Sequence, residues 1–399
     1  MSLFAFASRA RACAVGIALL SGSGVSALAQ SSEKEIGLEF DKSEPAPEIN
    51  AKFRSSEGWI GGDGAHSIDL GNNRTLWLFG DTFVGTIKDG WRSKSRIVHN
   101  SAGIQCSPDS PCTFVVRNDA NGKATDLIRP LDGRGWLWFQ SGILVNDRLY
   151  LFLSQMDEPT EKARPQRTPL GQWLAIVENP QDDPREWCVN QVRIPFVSYS
   201  HSRDVTFGNA AVVEGKYLYV FGNDDPARLI TLNCFLTVAR VPIDRIAEMS
   251  EWKFLRKGKW SRDFIHADRI APFMSSDLSV SYMPGLKRYL MVYTDCDVSS
   301  RIVARTAPTP IGPWSLQELV HESRDAYGDS RLYCYAGKAH PSLSSDGKLV
   351  ISYLTSSTDT WQLATNPRLF WPMFVSVRMR DARPESVGTV AGAGSAPEE

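Results

Sequence analysis

Apolar residues in this chain come in short runs broken by Gly, Asn, Asp or Pro, and no long segment repeats them at helical spacing. Short strands with frequent turns predict an all-β fold. One unit recurs: a small or polar residue, an apolar strand, a turn, then a strand of Leu, Tyr, Val and Phe. It occupies residues 61–82, 141–153, 208–222, 277–293 and 339–353. The second strands of these hairpins are 76–79, 149–152, 218–221, 290–293 and 349–353, spaced by about seventy residues and by about sixty at the last step. Each interval has room for two further strands, such as 236–241 and 301–306. Four antiparallel strands per repeat, radially arranged, is a β-propeller, and five copies predict five blades over residues 49–381. The strands are near-continuous apolar runs because a blade between two others buries both faces.

The ends of the chain read differently. Arg9 and Arg11 precede a short apolar run, and Ala27-Leu28-Ala29 has the form of a signal peptidase site. Residues 1–29 are therefore expected to be a cleaved signal peptide, which places the mature protein in a bacterial periplasm or outside the cell. No later segment is long and apolar enough to be a membrane span. Residues 30–48 read as a polar linker and residues 382–399 as a disordered tail.

Removing the signal leaves Cys106, Cys112, Cys188, Cys234, Cys296 and Cys334, an even set suited to disulfides in an oxidising compartment. Cys106 and Cys112 flank a tight polar loop and are the expected pair; Cys296 and Cys334 are candidates for a second clip. The net charge of −1 leaves no basic surplus for nucleic acid, and a monomer is expected.

Candidate chemistry concentrates in the first hairpin. Gly71-Asn72-Asn73 is a turn signal, and folding the strand about Asn72 sets Asp63 opposite Asp81. Directly opposed residues on one face hold their Cβ atoms about 4.5–5.5 Å apart. Carboxylates that close repel unless they share a proton or meet a cation. A two-residue turn would instead set Asp81 against Gly64. Singly, each aspartate could merely cap a turn.

Propeller ligands sit over the axis where the innermost strands begin. That gathers Asp63, Ser141, Asn209, Asp277 and His340 around one expected pocket, with Asn100 beside His99 lining it from the first blade. Trp138, Trp136 and Trp59 are candidates to stack on a ligand or to pack between blades. His340 could contact substrate or hold an axial structural calcium. No other metal or cofactor is indicated, because H-E-x-x-H, C-x-x-C, G-x-S-x-G and G-x-G-x-x-G patterns are all missing from the sequence.

Several motifs resemble a known group. They are Gly58-Trp59-Ile60-Gly61-Gly62-Asp63-Gly64, Leu76-Trp77-Leu78-Phe79-Gly80-Asp81-Thr82-Phe83, Val98-His99-Asn100-Ser101, Val238-Ala239-Arg240-Val241-Pro242, Ala304-Arg305-Thr306-Ala307-Pro308 with Gly312-Pro313-Trp314, and Ala336-Gly337-Lys338-Ala339-His340-Pro341. They resemble the five-bladed propeller glycosidases of arabinanase, fructosidase and levansucrase type. The nearer resemblance is to a bacterial group long catalogued as domains of unknown function, some of which are endo-D-arabinanases. It implies that Asp63 and Asp81 are the catalytic carboxylates. One departure is Ser141, which stands where relatives often carry an Asp in the second blade.

Two functions follow as expectations. The first is a secreted glycoside hydrolase acting on furanose-containing, arabinan-like polysaccharide through Asp63 and Asp81. The second is a non-catalytic carbohydrate-binding propeller. For the hydrolase, two carboxyls about 5 Å apart favour the retaining geometry over the inverting one, which needs about 6.5–9.5 Å.

Overall fold

The computed structural model describes residues 38–159, 168–200, 202–226, 234–345 and 347–381. The expected signal peptide, the start of the expected linker and the expected tail lie outside the described residues. The described chain is all-β, organised as five principal antiparallel sheets that follow one another in sequence. No helix among the described residues is long and apolar enough to cross a membrane.

The first sheet consists of His66–Asp69, Thr75–Phe79, Ser101–Gln105 and Thr113–Val115, in chain order. The second is Trp136–Val145, Arg148–Asp157, Thr168–Val177 and Val189–Ile194. The third runs through Asp204–Glu214, Tyr217–Asp225, Phe235–Pro242 and Lys253–Arg256, with short additions at its edges. The fourth is Leu278–Met283, Arg288–Thr294, Arg301–Ala307 and Glu318–Glu322. The fifth takes Leu332–Ala339, Lys348–Ser357 and Pro372–Asp381 from the end of the chain, and its outer edge from the beginning. Leu38–Phe40 and Glu44–Pro45, within the segment read as a linker, both pair with Pro372–Asp381. The two ends of the described chain are thus tied together in one sheet.

Packing explains why the strands are apolar on both faces. The first strand of each sheet packs on the first strand of the next. A hydrophobic cluster fills each junction: Leu76, Leu78, Leu149 and Leu151 between the first and second sheets, Phe152, Leu174, Leu218 and Val220 between the second and third. Phe221, Val238, Leu278 and Met291 join the third to the fourth, and Val292, Ala304, Leu349 and Ile351 join the fourth to the fifth. Trp77, Phe79, Val350 and Phe374 then join the fifth sheet back to the first. Burying a large apolar side chain contributes about 1.5–3 kcal/mol, so these five junctions hold the sheets in place.

The first hairpin folds about Asn72. Asp69 pairs with Thr75 and His66 with Leu78, and Gly71, Asn72 and Asn73 all have positive φ (79°, 52° and 60°). Gly and Asn adopt that left-handed region at low cost. Further from the turn the same two chain segments separate into a second small sheet, in which Glu57–Gly62 pairs with Thr82–Lys88 and the latter with Trp91–Val98.

The same extension occurs elsewhere, interrupted each time by a bulge. The break falls between Phe139 and Ser141 in the second sheet, Phe207 and Ala210 in the third, and Tyr335 and Lys338 in the fifth. Bulges bend strands and re-aim side chains, and they are frequent beside functional sites.

Candidate active site

The break in the first hairpin falls on the two aspartates. Asp63 N donates to Asp81 O at 3.1 Å, and Gly80 N donates to Asp63 O at 3.0 Å, so Gly80 and Asp81 together stand opposite Asp63. The register about Asn72 is therefore the one found, and the alternative that set Asp81 against Gly64 is not. Gly80 is needed for its lack of a side chain: a Cβ there would lie 2.5 Å from Asp63 Oδ1.

The two carboxyls have different surroundings. Asp81 is 4% exposed, and its Oδ1 accepts from the indole N–H of Trp138 at 2.9 Å and lies 2.9 Å from His99 Nδ1. His99 stacks on Trp136, with ring centroids 4.4 Å apart and planes 21° from parallel. Its backbone N–H donates to Asp126 Oδ1 at 2.7 Å. Burial pushes the Asp126 carboxyl above its usual range, and the charge of Asp81 acts in the same direction.

Asp63 is half-buried, and its Oδ2 accepts from the hydroxyl of Tyr335 at 2.8 Å. Burial, followed by the negative charge of Asp63, pushes the Tyr335 phenol well above its ordinary value. Tyr335 therefore keeps its proton at neutral pH and remains a hydrogen-bond donor. Asp81 also acts on this phenol, so one tyrosine from the fifth sheet senses both carboxyls.

The same chain segments carry a second polar group: Lys338 lies three residues beyond Tyr335, and His66 three beyond Asp63. Lys338, only 1% exposed, donates from Nζ to Asp277 Oδ1 at 2.8 Å. His66 Nε2 lies 4.0 Å from the same oxygen. Asn209 Nδ2 donates to Ser276 O at 2.7 Å, which sets it next to Asp277.

The fold thus brings Asp63, Asp81 and Trp138 into one cluster and Asn209 and Asp277 into a neighbouring one. Three expected contacts do not reach either as free groups. Asn100 has no exposed surface; its side chain donates to Ile128 O and Leu137 O and accepts from Ile128 N. His340 is equally enclosed, with Nδ1 2.9 Å from Ser67 Oγ, Nε2 2.7 Å from Ser352 Oγ, and its ring between Trp77 and Phe374. It joins the fifth sheet, through Ser352, to the first, through Ser67. Ser141 donates its hydroxyl to Gly208 O at 2.7 Å, fastening the second sheet to the third. Trp59 is a core residue stacked on Phe114 at 3.8 Å.

Calcium does not fit these residues. It takes six to eight oxygen ligands, whereas both nitrogens of His340 are engaged by serines and the carboxylate of Asp277 is already met by a lysine ammonium. Among the described residues no group of three or more His, Cys, Asp or Glu side chains is placed to hold a metal.

The expected disulfides are not formed. Cys106 and Cys112 carry free thiols, and Cys112 is buried against Gly103, where burial pushes its thiol up. Cys334 is likewise a free thiol, 3.6 Å from Ser323 Oγ and 3.5 Å from Thr355 Oγ1, so it does not bridge to Cys296.

His99, Asp126, Tyr335, Lys338 and His66 complete the two clusters. Of these, only His99 is singled out as a site residue by the sequence. Lys338 carried one signal, a lone cation inside an otherwise apolar strand.

Among solved structures, a protein from Bacteroides ovatus ATCC 8483 with a provisional hydrolase assignment shares the fold, at a TM-score of 0.68 and 20% identity over 89% of this chain and 97% of that one. A thermostable family-43 glycoside hydrolase aligns at a TM-score of 0.42 and 14% identity, over 85% of this chain and 95% of that one. An endo-arabinase from Bacteroides thetaiotaomicron VPI-5482 aligns at 0.43 and 12%, over 82% and 97%. No curated protein matches the chain. The model of one family, described as a domain of unknown function (DUF5005), matches residues 48–380, and the chain belongs to that family.

Proposed function

We propose that this protein is an exported glycoside hydrolase on a five-bladed β-propeller, cleaving furanose-containing, arabinan-like polysaccharide with Asp81 and Asp63. The carrying observation is the break in the first hairpin, which sets Asp63 against Gly80 and Asp81 and gives the two carboxyls unlike partners. Five sheets joined in succession, the fifth packed back on the first, support the blade count.

Glycoside hydrolysis requires one carboxyl to protonate the leaving oxygen and another to attack the anomeric carbon or activate water. Asp81 suits the nucleophile. Its Oδ1 meets the indole N–H of Trp138 and, with the proton on Nδ1, the imidazole of His99, and such donors favour the ionised form. Both partners also fix its direction. Asp63 is the more exposed of the two and suits the acid/base, which exchanges its proton with water between steps; Tyr335 orients it through Oδ2.

In the first step Asp81 bonds to the anomeric carbon as the glycosidic bond breaks and Asp63 gives its proton to the departing oxygen. In the second, water attacks that carbon, Asp63 takes its proton, and Asp81 leaves. Trp138 stands beside the reacting carboxylate as an apolar wall for the sugar.

The test is to incubate the mature protein with D-arabinan, L-arabinan and fructan and to follow released oligosaccharides. Proton NMR of the first-formed anomer then separates the courses: retention is expected, and inversion would sink the double displacement. The competing reading, a propeller that binds sugar without cleaving it, draws on Ser141, whose hydroxyl is spent on backbone. Measurable affinity with no release from any of the three polymers would favour it.

A further inference from the structure

Each of the five inner strands, or the residue leading into it, supplies one polar residue to the group beside the aspartates: His66, Gln140, Asn209, Asp277 and Lys338. Most of these atoms are matched. Lys338 Nζ donates to Asp277 Oδ1 at 2.8 Å, and Asn209 Nδ2 donates to Ser276 O at 2.7 Å and lies 3.5 Å from Gln140 Oε1. Two are not. His66 Nε2 and Asn209 Oδ1 are buried with no hydrogen-bond partner among the described residues, on side chains whose residues are 7% and 2% exposed. Leaving a buried polar atom unsatisfied is costly, and two of the buried unpaired side-chain atoms among the described residues belong to this one group. Yet the group is not sealed, since the side chain of Asp277 is 28% exposed.

The charges here select the ligand. A cation would meet the ammonium of Lys338, and an anion would meet the carboxylate of Asp277. Burial, then Lys338, then His340 hold His66 well below its ordinary value, so its imidazole is neutral. What remains is a mixed set of donors and acceptors with no net charge. A hydroxyl group, which both donates and accepts, is complementary to such a set.

We propose that His66, Asn209, Asp277 and Lys338 form a subsite that binds the hydroxyl groups of an uncharged sugar ring and rejects rings that carry a carboxylate. The subsite rests on the glycosidase reading for its ligand class, but it does not require turnover.

The experiment uses the full mature chain carrying Asp81→Asn, so that binding is read without cleavage. Calorimetry measures affinity for neutral arabino-, xylo- and fructo-oligosaccharides, with an oligogalacturonide as the charged control. His66→Phe keeps an aromatic ring of similar size and removes the orphaned nitrogen. It should weaken binding of the preferred neutral sugar about tenfold, the loss of one buried hydrogen bond, while leaving the melting temperature unchanged or higher. A purely structural His66 would not give that combination. Lys338→Met is the second variant and should weaken binding at least as much, with folding checked by circular dichroism.

Unchanged affinity in both variants would overturn the proposal, since water would then satisfy these atoms. An oligogalacturonide that binds as tightly as the neutral sugars would also overturn it, as would no binding of any neutral oligosaccharide. If the parent chain binds neutral sugar, His66→Phe weakens it, and no polymer is ever cleaved, the subsite stands and the hydrolase reading falls.

Discussion

The first and second sheets are built alike and used differently. In both, the inner hairpin runs on beyond its sheet and is broken at the same level, at Asp63 opposite Gly80-Asp81 in one and between Phe139 and Ser141 in the other. The first break sets two carboxyls among ring N–H and phenol donors. The second turns its hydroxyl inward, and Ser141 holds the backbone of the third sheet. Its contribution to the carboxyl cluster comes from a neighbour instead: Trp138, three residues earlier, reaches across to Asp81. Repetition therefore fixes where a side chain can stand, and the local residue decides whether the position joins the carboxyl cluster or fastens one sheet to the next.

The sharpest way to break this contrast is to neutralise the first sheet's charge. Asp81→Asn should lower kcat by about a thousandfold, the scale of losing a positioned carboxyl, with little change in melting temperature. A residual rate within tenfold of the parent would remove Asp81 from the mechanism. Gly80→Ala is subtler. Its new Cβ would fall 2.5 Å from Asp63 Oδ1, a side-chain end that can swing away. The fold should survive while the acid/base is displaced, and a misplacement of about 1 Å costs on the order of a hundredfold. Melting curves beside initial rates check this; a large drop in stability with normal activity per folded molecule would refute it.

Why was the first break legible in the sequence and the rest of the site not? Gly71-Asn72-Asn73 is one of the few turns that tolerates three successive positive φ values, so the fold axis of the hairpin could be read directly. Counting outward from Asn72 reaches Asp63 and Asp81. Tyr335 and Lys338 sit on either side of a bulge, and a bulge reverses which face later residues meet. Alternation along the strand could not show that both contribute to the site. His340 follows the inner strand, which suggests a pocket residue, but the chain turns there and carries it between Trp77 and Phe374. Leu38–Phe40 is too short to show a period, and it is a strand only because the last strand offers it an edge.

His340 also gives the comparison a pH axis. Burial, with help from Lys338, depresses it to about 3. The folded state therefore keeps the ring neutral while the unfolded chain, near 6.5, binds a proton. Between these values unfolding takes up protons, so stability is full above about pH 6.5 and declines as pH falls toward 3. At pH 5 this one group costs about 2 kcal/mol of stability. His340→Gln should flatten the decline of melting temperature between pH 7 and 5. Equal slopes in parent and variant would show that His340 is not the acid-sensitive joint between the first and fifth sheets.

Tyr335→Phe tests the side of the same contrast that is proposed to react. It removes the hydroxyl on Asp63 Oδ2 and leaves the ring in place. A donor to a carboxylate favours its charged form, so without it Asp63 holds its proton more readily. With Asp63 as the general acid, the basic limb of kcat against pH should move upward, and kcat at neutral pH should fall about tenfold as the carboxyl loses its anchor. A limb that stays in place would assign the proton transfer to another group.

Ser141→Ala carries the smallest expected effect and bears most directly on the second sheet. The hydroxyl donates to Gly208 O, a backbone group of the third sheet. Its loss should cost about 1 kcal/mol of stability and leave kcat within twofold. If kcat instead falls while the melting temperature holds, Ser141 touches the substrate. The second break would then be a reactive position like the first, and the division between a sheet that reacts and a sheet that fastens would fail at its most exposed point.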